Sequence, residues 1–524
     1  MSEHRHLLKS ASLISALTIV SRIFGYIRDS RIAFLLGAGT AADAFTTAYR
    51  IPNLLRRLVG EGAVSAAFIP VFTRYLAEDK EEEAWEFANT MLTVVTIFLT
   101  ALTVAGILLS PIVVRLFASG FGETAGKLEL TATLNRIMFP YIFLISLSAL
   151  SMGILNSFHR FAAPAFAPVL LNLTMIVFSF LGALFGDVTR TLAVGVVVGG
   201  VLQLCIQIPS LLRSGWKIRF KLDFNHPGVQ RVMKLIVPVI FGVGIVQVNV
   251  LVDTQFASYL SEGSVTAIYI ADRVMELVLG AYAVAVSTVI LPMLSRQAAL
   301  RQMDEMKTTL NFATRLILFI TFPATVGLIL LRREIIEVLF QHGDFDAAST
   351  ALTAWPLPFF ALGLSAFSMV KVIVPAFYAL QDTRTPVKIA FIAMFVNIGL
   401  NFLFIRPLQN GGPALATSAA AVFNSIALLV IFHKRHGSFG VREIIRSIAK
   451  FAVASSALGV VAYGLIHWPG LYAGHLSQKV VALGLTIAAA AGTYFLMVVM
   501  LRSPEVDEFR AMKRGLKPAT TLKL

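Results

Sequence analysis

Long apolar runs separated by short polar segments recur along the whole chain. Ten of them are uncharged and long enough to cross a bilayer as helices. They are 87–114, 137–158, 161–186, 191–212, 235–252, 277–295, 389–405, 411–432, 451–470 and 480–501. Four further runs are shorter, interrupted or carry charges: 11–36, 44–73, 316–331 and 347–370. The pattern predicts an all-α polytopic membrane protein with fourteen transmembrane helices.

The composition supports a lipid environment for these helices. Hydrophobic residues make up 57% of the 524 residues and charged residues only 14%, whereas soluble proteins carry about 25% charged residues. The chain has one cysteine, Cys205, which excludes an intramolecular disulfide and a metal site built from cysteines.

The basic residues are distributed unevenly between the two sides of the predicted bundle. The formal net charge is +15, and 28 of the 44 Lys and Arg residues fall on the side of the N-terminus, against 7 on the opposite side. The positive-inside rule therefore predicts that both termini are cytoplasmic, and no nucleic-acid partner is needed to explain the charge. Loop 213–234, which holds six of these cations, is also suited to contact anionic headgroups.

Two sequence motifs recur at one shift of 222 residues. Segment 68–74 matches 290–296, and segment 154–164 matches 376–386. The shift covers six predicted helices, so the repeat is parallel. We therefore predict two six-helix lobes, 1–220 and 221–435, as in alternating-access transporters with the substrate site between the lobes. The remaining part, 436–524, is predicted to hold helices 13 and 14 and a cytoplasmic tail.

Ionisable residues inside predicted helices mark candidate functional positions, because burying charge in a bilayer is costly. We expect four arginines to line the substrate cavity: Arg22, Arg28, Arg56 and Arg273. Arg31, Arg50 and Arg57 could equally line the cavity or lie at the membrane interface near a helix end. Arginine binds phosphate oxygens bidentately, so the surplus of cations favours a phosphate or diphosphate ligand. Asp43, Asp272 and Glu276 are expected to pair with these arginines when no substrate is bound.

A second polar cluster is predicted from Asp253, Asn397, Asn401 and Thr417. Carboxylate, amide and hydroxyl oxygens would suit a sodium ion. Protonation of Asp253 and a purely structural hydrogen-bonded cluster remain alternatives. No other cofactor is predicted, and the sequence lacks the Walker A, H-E-x-x-H and G-x-S-x-G motifs of common enzyme classes. We therefore do not expect an enzyme.

Several of these motifs together resemble one family. Ser21-Arg22-Ile23-Phe24-Gly25-Tyr26-Ile27-Arg28-Asp29, Pro52-Asn53-Leu54-Leu55-Arg56-Arg57 with Glu61-Gly62-Ala63, and Ala271-Asp272-Arg273 with Glu276 are similar to the MurJ (MviN) family of lipid II flippases. The resemblance covers essentially the whole chain. It places the protein in the multidrug/oligosaccharidyl-lipid/polysaccharide exporter superfamily.

The resemblance implies a function in peptidoglycan biosynthesis in the bacterial inner membrane. Lipid II, the undecaprenyl-diphosphate-linked precursor, would be moved from the cytoplasmic to the periplasmic leaflet, driven by membrane potential or a cation gradient. It also implies that the arginines and acids named above bind substrate and that helices 13 and 14 form a groove for the lipid tail. Expected partners are lipid II, membrane lipids and cell-wall synthesis proteins. The alternatives are a flippase for another polyprenyl-linked glycan and a cation-coupled multidrug exporter.

Overall fold

The computed structural model describes residues 2–58 and 65–506, and all regular secondary structure in those ranges is helical. Glu61, Gly62 and Ala63 of the second motif and the tail beyond residue 506 lie outside the described residues. The helices form two compact units, which are residues 1–266 with 342–346, and residues 267–341 with 347–524. The domain boundaries predicted from the repeat stay a prediction.

The first unit contains eleven helices and the beginning of a twelfth among its described residues. They are α1 (Ser2–Leu36), α2 (Thr40–Leu55), α3 (Ser65–Ala77), α4 (Glu81–Leu108), α5 (Ser110–Ala118), α6 (Lys127–Met138), α7 (Tyr141–Ser157), α8 (Ala162–Phe185), α9 (Val188–Cys205), α10 (Ile208–Leu212) and α11 (Pro227–Ala257). A 3-10 helix, Ser119–Glu123, follows α5. Aromatic and aliphatic side chains from α3, α4 and α7, with Trp216, form one of its buried cores.

The second unit is built from the remaining helices. They are α12 (Ser264–Ala299), α13 (Met303–Leu330), α14 (Arg332–Phe340), α15 (Ala347–Ala354), α16 (Leu357–Ala379), α17 (Arg384–Leu408), α18 (Gly411–His436), α19 (Val441–Ile466) and α20 (Leu476–Met500). The last two helices pack on each other and on α13, around a core that includes Leu458 and Tyr494.

Ten helical segments of the described chain are long and apolar enough to cross a membrane. Three of them join two consecutive helices: α6 with α7, α9 with α10, and α15 with α16. The protein is therefore an all-α polytopic membrane protein. The other four predicted spans fall on α1, on α2 with α3, on α11 and on α12, and the count of fourteen stays a prediction.

Local sequence explains where the apolar helices stop. Helix α8 ends before Gly186, whose φ of +79° is the left-handed conformation that glycine adopts without a Cβ clash. The next residue, Asp187, accepts a hydrogen bond from the backbone amide of Arg190 at 3.0 Å and so caps α9. A two-residue connection of this kind forces α9 to return beside α8, against which it packs.

A buried ion pair joins the segment that follows α20 to α13, and α19 hydrogen-bonds to the same carboxylate. Arg315 and Glu505 are both 3% exposed, and their side chains meet at 2.7 Å between Nη1 and Oε1. Ser447 of α19 donates to the same carboxylate at 2.6 Å, and Arg315 also donates to Asn311 at 2.8 Å. Arg315 precedes the predicted span 316–331, whereas the structure places it inside α13.

This pair predicts a pH-dependent stability. Burial alone would raise the pKa of Glu505, but hydrogen bonds from Ser447 and Ser503 and the charge of Arg315 outweigh it and lower that pKa. A lowered pKa adds stability above the unfolded value, about 4.3, and that stability is lost as pH falls through the folded pKa. We expect acidification below the unfolded pKa to lower the thermal unfolding midpoint of the wild type more than that of Glu505→Gln.

The same variant has an expected effect at neutral pH. Glu505→Gln leaves Arg315 buried without its ionised partner and is expected to cost about 3–5 kcal/mol. Glu443→Gln, at an exposed position in the first turn of α19, is the matched control. If the thermal unfolding midpoints of wild type and Glu505→Gln depended on pH in the same way, the ionised Glu505 would not be the source of the pH-dependent stability.

Candidate substrate-binding residues

Arg28 is buried in the packing of α1 against α8 and α2. It is 6% exposed, and its Nε and Nη2 donate to Asp29 Oδ1 at 2.9 and 2.6 Å. Its Nη1 donates to Asn172 Oδ1 on α8 at 2.9 Å, and its guanidinium lies 5.8 Å from the ring centre of Tyr49. Asn172 in turn donates to the Ser21 carbonyl at 2.9 Å. The guanidinium is therefore held in one orientation by α1 and α8.

Arg22 lies on the same helix in a different environment. Its side chain is exposed, and no hydrogen bond or ion pair joins it to another residue in the described part of the chain. It is six residues, about 9 Å along the helix axis, from Arg28. Arg22 is thus free to change rotamer, whereas Arg28 is fixed.

Helix α2 presents two further arginines near its C-terminal end. Arg50 donates to Thr254 Oγ1 of α11 at 2.8 Å, next to the partly buried Asp253. Arg56 follows Pro52 by one turn and donates from Nε to Asn53 Oδ1 at 2.8 Å.

Asp43 lies in a fully buried polar cluster. It is 1% exposed and accepts a hydrogen bond from Lys127 Nζ on α6 at 2.8 Å. It also accepts the backbone amides of Gly263 and Thr266 and the Thr266 hydroxyl, each at 2.8 Å. Lys127 lies over the Phe121 ring at 4.3 Å. The cluster fixes the chain at the start of α12. The carboxylate of Asp43 is therefore already occupied by protein groups.

Arg273 lies near the start of α12 and is partly exposed. Its Nη1 donates to Glu276 Oε2 at 3.0 Å, with the two side chains 32% and 43% exposed. Its Nε donates to the Tyr269 hydroxyl at 3.2 Å, and the guanidinium lies 5.1 Å from that ring centre. Asp272 is also partly exposed. Of the arginines expected to bind substrate, Arg273 combines a defined orientation with access.

The predicted site residues therefore divide between the two units. Arg22, Arg28, Asp43 and Arg56 belong to the first unit. Arg273, Asp272 and Glu276 belong to the second. The structure brings Arg28 to α2 through Tyr49, and it brings Arg273 to Glu276. Their substrate-binding role stays a prediction.

The second polar cluster is partly assembled. Asn397 and Asn401 are fully buried on α17. Asn397 donates to Thr417 Oγ1 of α18 at 3.1 Å, and Asn401 donates to the backbone and side-chain oxygens of Asn397 at 3.1 and 3.2 Å. These three residues lie in the second unit and Asp253 lies in the first. Among the described residues, no group of three or more His, Cys, Asp or Glu side chains could hold a metal.

Two partners in these networks were missed from the sequence. Lys127 lies between the predicted spans 87–114 and 137–158, but it starts α6 and is 3% exposed. Asn172 was passed over in the apolar run 161–186, although a lone amide inside a transmembrane helix usually hydrogen-bonds to a neighbouring helix. The isolated amide of Asn172 could therefore have been recognised from the sequence, whereas nothing in the sequence around Lys127 points to Asp43.

Known proteins match this chain over most of its length. A family model described as lipid II flippase MurJ matches residues 32–475. A probable lipid II flippase MurJ from Vibrio cholerae is 35% identical over 506 residues, which cover 95% of this chain and 96% of that protein. The lipid II flippase MurJ of Burkholderia cenocepacia is 35% identical over 468 residues, covering 88% of this chain and 90% of its own.

Solved structures match at two levels. A lipid II flippase MurJ in an inward closed conformation has 29% identity and a TM-score of 0.79, covering 94% of this chain and 99% of its own. An inward-facing multidrug resistance transporter of the MATE family has a TM-score of 0.64 at 12% identity, covering 82% of this chain and 95% of its own. The second likeness shows a shared fold only.

Proposed function

Because the chain belongs to the lipid II flippase MurJ family, we propose that it moves lipid II from the cytoplasmic to the periplasmic leaflet of a bacterial inner membrane. The observation that carries this proposal is the match to a curated relative along 95% of the chain. The protein acts as a transporter and not as an enzyme. Cell-wall synthesis proteins remain predicted partners.

We propose that the headgroup diphosphate is bound by arginine forks. Arg273 is the clearest candidate, because its guanidinium is oriented by Tyr269 and already pairs with a carboxylate, Glu276. A phosphate oxygen makes the same kind of charge-assisted bond, so substrate would displace Glu276 and leave its carboxylate to solvent. Arg22, Arg28 and Arg56 are the proposed contributors from the first unit.

We propose alternating access of two lobes related by the parallel repeat. Helix ends support this proposal, since α4 (Glu81–Leu108) and α13 (Met303–Leu330) differ by 222 residues at both ends, as do α5 and α14. Three left-handed backbone positions recur at the same shift: Asp79 and Arg301, His159 and Gln381, Gly215 and Gly437. Two of the turns also close with the same six-residue hydrogen bond, Lys80 to Tyr75 and Gln302 to Gln297.

The orientation and the driving force belong to the same proposal. With fourteen helices and both termini cytoplasmic, a negative interior potential favours outward movement of the anionic headgroup by about 2.3 kcal/mol per charge per 100 mV. Helices α19 and α20 are proposed to guide the lipid tail. Exposed apolar side chains on both, such as Val460 and Leu485, are compatible with lipid contact.

A cation is proposed to reset the carrier. The predicted sodium ligands are Asp253, Asn397, Asn401 and Thr417, of which the last three already form one hydrogen-bonded network. Asn397→Leu is expected to abolish any sodium dependence of transport at saturating substrate. Unchanged sodium dependence in this variant would instead favour the structural interpretation of the network.

Complementation tests the proposed function. Cells depleted of their own lipid II flippase are expected to recover growth and shape when supplied with this gene, provided that the protein is detected in the membrane. Recovery would separate the proposal from drug export, because a drug exporter does not supply precursor to the wall. Failure of a correctly inserted protein to restore growth would contradict it.

A further inference from the structure

The segment 216–224, called the strap below, is fixed along the first half of α4. Asn89 of α4 is 6% exposed, and its side-chain oxygen accepts hydrogen bonds from Trp216 Nε1 and the Arg219 amide at 2.9 and 3.0 Å. Its amide nitrogen donates to the Lys217 carbonyl at 3.0 Å. One buried side chain therefore satisfies three groups of the strap, two of them on its backbone.

Lys221 makes a second pair of contacts with α4, its amide one turn beyond Asn89 and its ammonium back toward the start of the helix. Thr93 Oγ1 accepts the Lys221 amide at 3.1 Å, and the Lys221 ammonium pairs with Glu86. Asn89 and Thr93 are about 6 Å apart along the helix, and two extended residues, from Arg219 to Lys221, span about 6.6 Å. The strap therefore runs extended along α4, toward the apolar part of that helix.

The strap exposes one row of apolar side chains. Ile218, Phe220, Leu222 and Phe224 are 49%, 77%, 56% and 59% exposed, and they alternate with Lys217, Arg219, Lys221 and Asp223. Residues 216–223 lie outside helices and turns, and Phe224 begins a turn. In an extended chain, alternate side chains point to opposite faces. One face is therefore apolar and uncovered by the described residues of the chain, and the other is mainly basic.

The attachment to α4 sets the depth of the strap. Helix α4 begins with Glu81, Glu82 and Glu83, and its uncharged run starts at residue 87. Thr93 lies about 9 Å beyond that start, which is the depth that interfacial amphipathic segments reach, about 5–10 Å. Further along α4, Ile97 and Phe98 are also exposed, as expected for a lipid-facing helix side.

We propose that the strap is a membrane-inserted anchor, with Ile218, Phe220, Leu222 and Phe224 in the acyl boundary and Lys217 and Arg219 on anionic headgroups. Its occupant is a lipid surface. Alternating apolar and basic residues fit the boundary between chains and anionic headgroups, and Asn89 and Thr93 satisfy backbone groups that lipid could not. This proposal does not depend on the transported substrate.

Spin-label accessibility tests the anchor in the full-length protein. The single cysteine is exposed and is replaced first, as Cys205→Ser. Nitroxides are then placed one at a time through Lys217→Cys, Ile218→Cys, Arg219→Cys and Phe220→Cys, in vesicles of phosphatidylcholine with phosphatidylglycerol. We expect oxygen, which concentrates in lipid, to relax labels 218 and 220, and a water-soluble nickel complex to relax labels 217 and 219.

Each other pattern overturns the proposal. Nickel access to both rows would place the strap in water, and access of neither reagent to 218 and 220 would place a protein partner on it. The oxygen preference at 220 is expected to fall in vesicles of phosphatidylcholine alone, and an equal preference would refute the requirement for anionic lipid.

A matched pair of variants tests the attachment. Thr93→Val removes the acceptor of the Lys221 amide. It is expected to reduce the difference in oxygen and nickel accessibility between labels 218 and 220 and labels 217 and 219. Thr100→Val, at an exposed position of the same helix where the hydroxyl donates to the Thr96 carbonyl, is expected to preserve it. If both variants lost the alternating accessibility to the same extent, the Thr93 hydrogen bond would not be what holds the strap on α4.

Discussion

Replacing Arg273 with alanine is expected to reduce lipid II transport strongly while leaving the protein folded. The side chains of Arg273 and its partner Glu276 are 32% and 43% exposed, so the carboxylate that the substitution leaves behind can be solvated. Hydrogen bonds to charged groups contribute about 1.5–3 kcal/mol, so loss of the fork is expected to weaken diphosphate binding by about ten- to a hundredfold. Arg273→Lys keeps the charge without the fork, so its transport is expected to lie between that of the wild type and that of Arg273→Ala.

Transport and folding are measured separately for this prediction. Rescue of flippase-depleted cells reports transport, and the thermal unfolding midpoint of the purified protein reports folding. Arg406→Ala is the matched control, because Arg406 is an exposed arginine in the last turn of α17 outside the proposed site. Full rescue by Arg273→Ala would remove Arg273 from the mechanism.

Asp43→Ala is expected to destabilise the protein severely. It leaves Lys127 buried and unpaired, and it leaves the amides of Gly263 and Thr266 without their acceptor. Breaking a buried ion pair typically costs about 3–5 kcal/mol, which is a large fraction of the stability of most proteins. The expected result is a low level of folded protein in the membrane and a strongly lowered unfolding midpoint.

Two further variants separate the charge from the hydrogen bonds. Asp43→Asn keeps one acceptor oxygen and loses the charge, so it is expected to be less damaging than alanine. Adding Lys127→Met to Asp43→Asn removes the unpaired ammonium and is expected to recover part of the loss. An Asp43→Ala protein that folds like the wild type but does not transport would instead assign Asp43 to the substrate.

Hydrophobic periodicity was sufficient for the class of the protein and for most helix positions. The predicted span 161–186 corresponds to α8 (Ala162–Phe185), because the glycine that ends the helix also ends the apolar run. Prediction was weaker where a helix starts with polar residues. The predicted span 316–331 is the second half of α13 (Met303–Leu330), since its buried arginine reads as loop when hydropathy alone is used.

Charged positions were easier to find than their partners. Arg28 stood out in an apolar run, but its pairing with the adjacent Asp29 depends on the rotamers that packing against Asn172 allows. Asp43 was grouped with the substrate-binding acids, yet its partners Gly263 and Thr266 are about 220 residues away in sequence. A single sequence carries no signal for such a distant backbone contact, so the structure was needed to find it.

The leaflet location of lipid II tests the central claim most directly. In flippase-depleted cells supplied with this gene, an externally added enzyme that cleaves lipid II is expected to reach it, because the headgroup has been moved outward. With Arg273→Ala at the same membrane level, lipid II is expected to accumulate inside and to resist cleavage. Protected lipid II in cells that carry the correctly inserted wild-type protein would contradict the account.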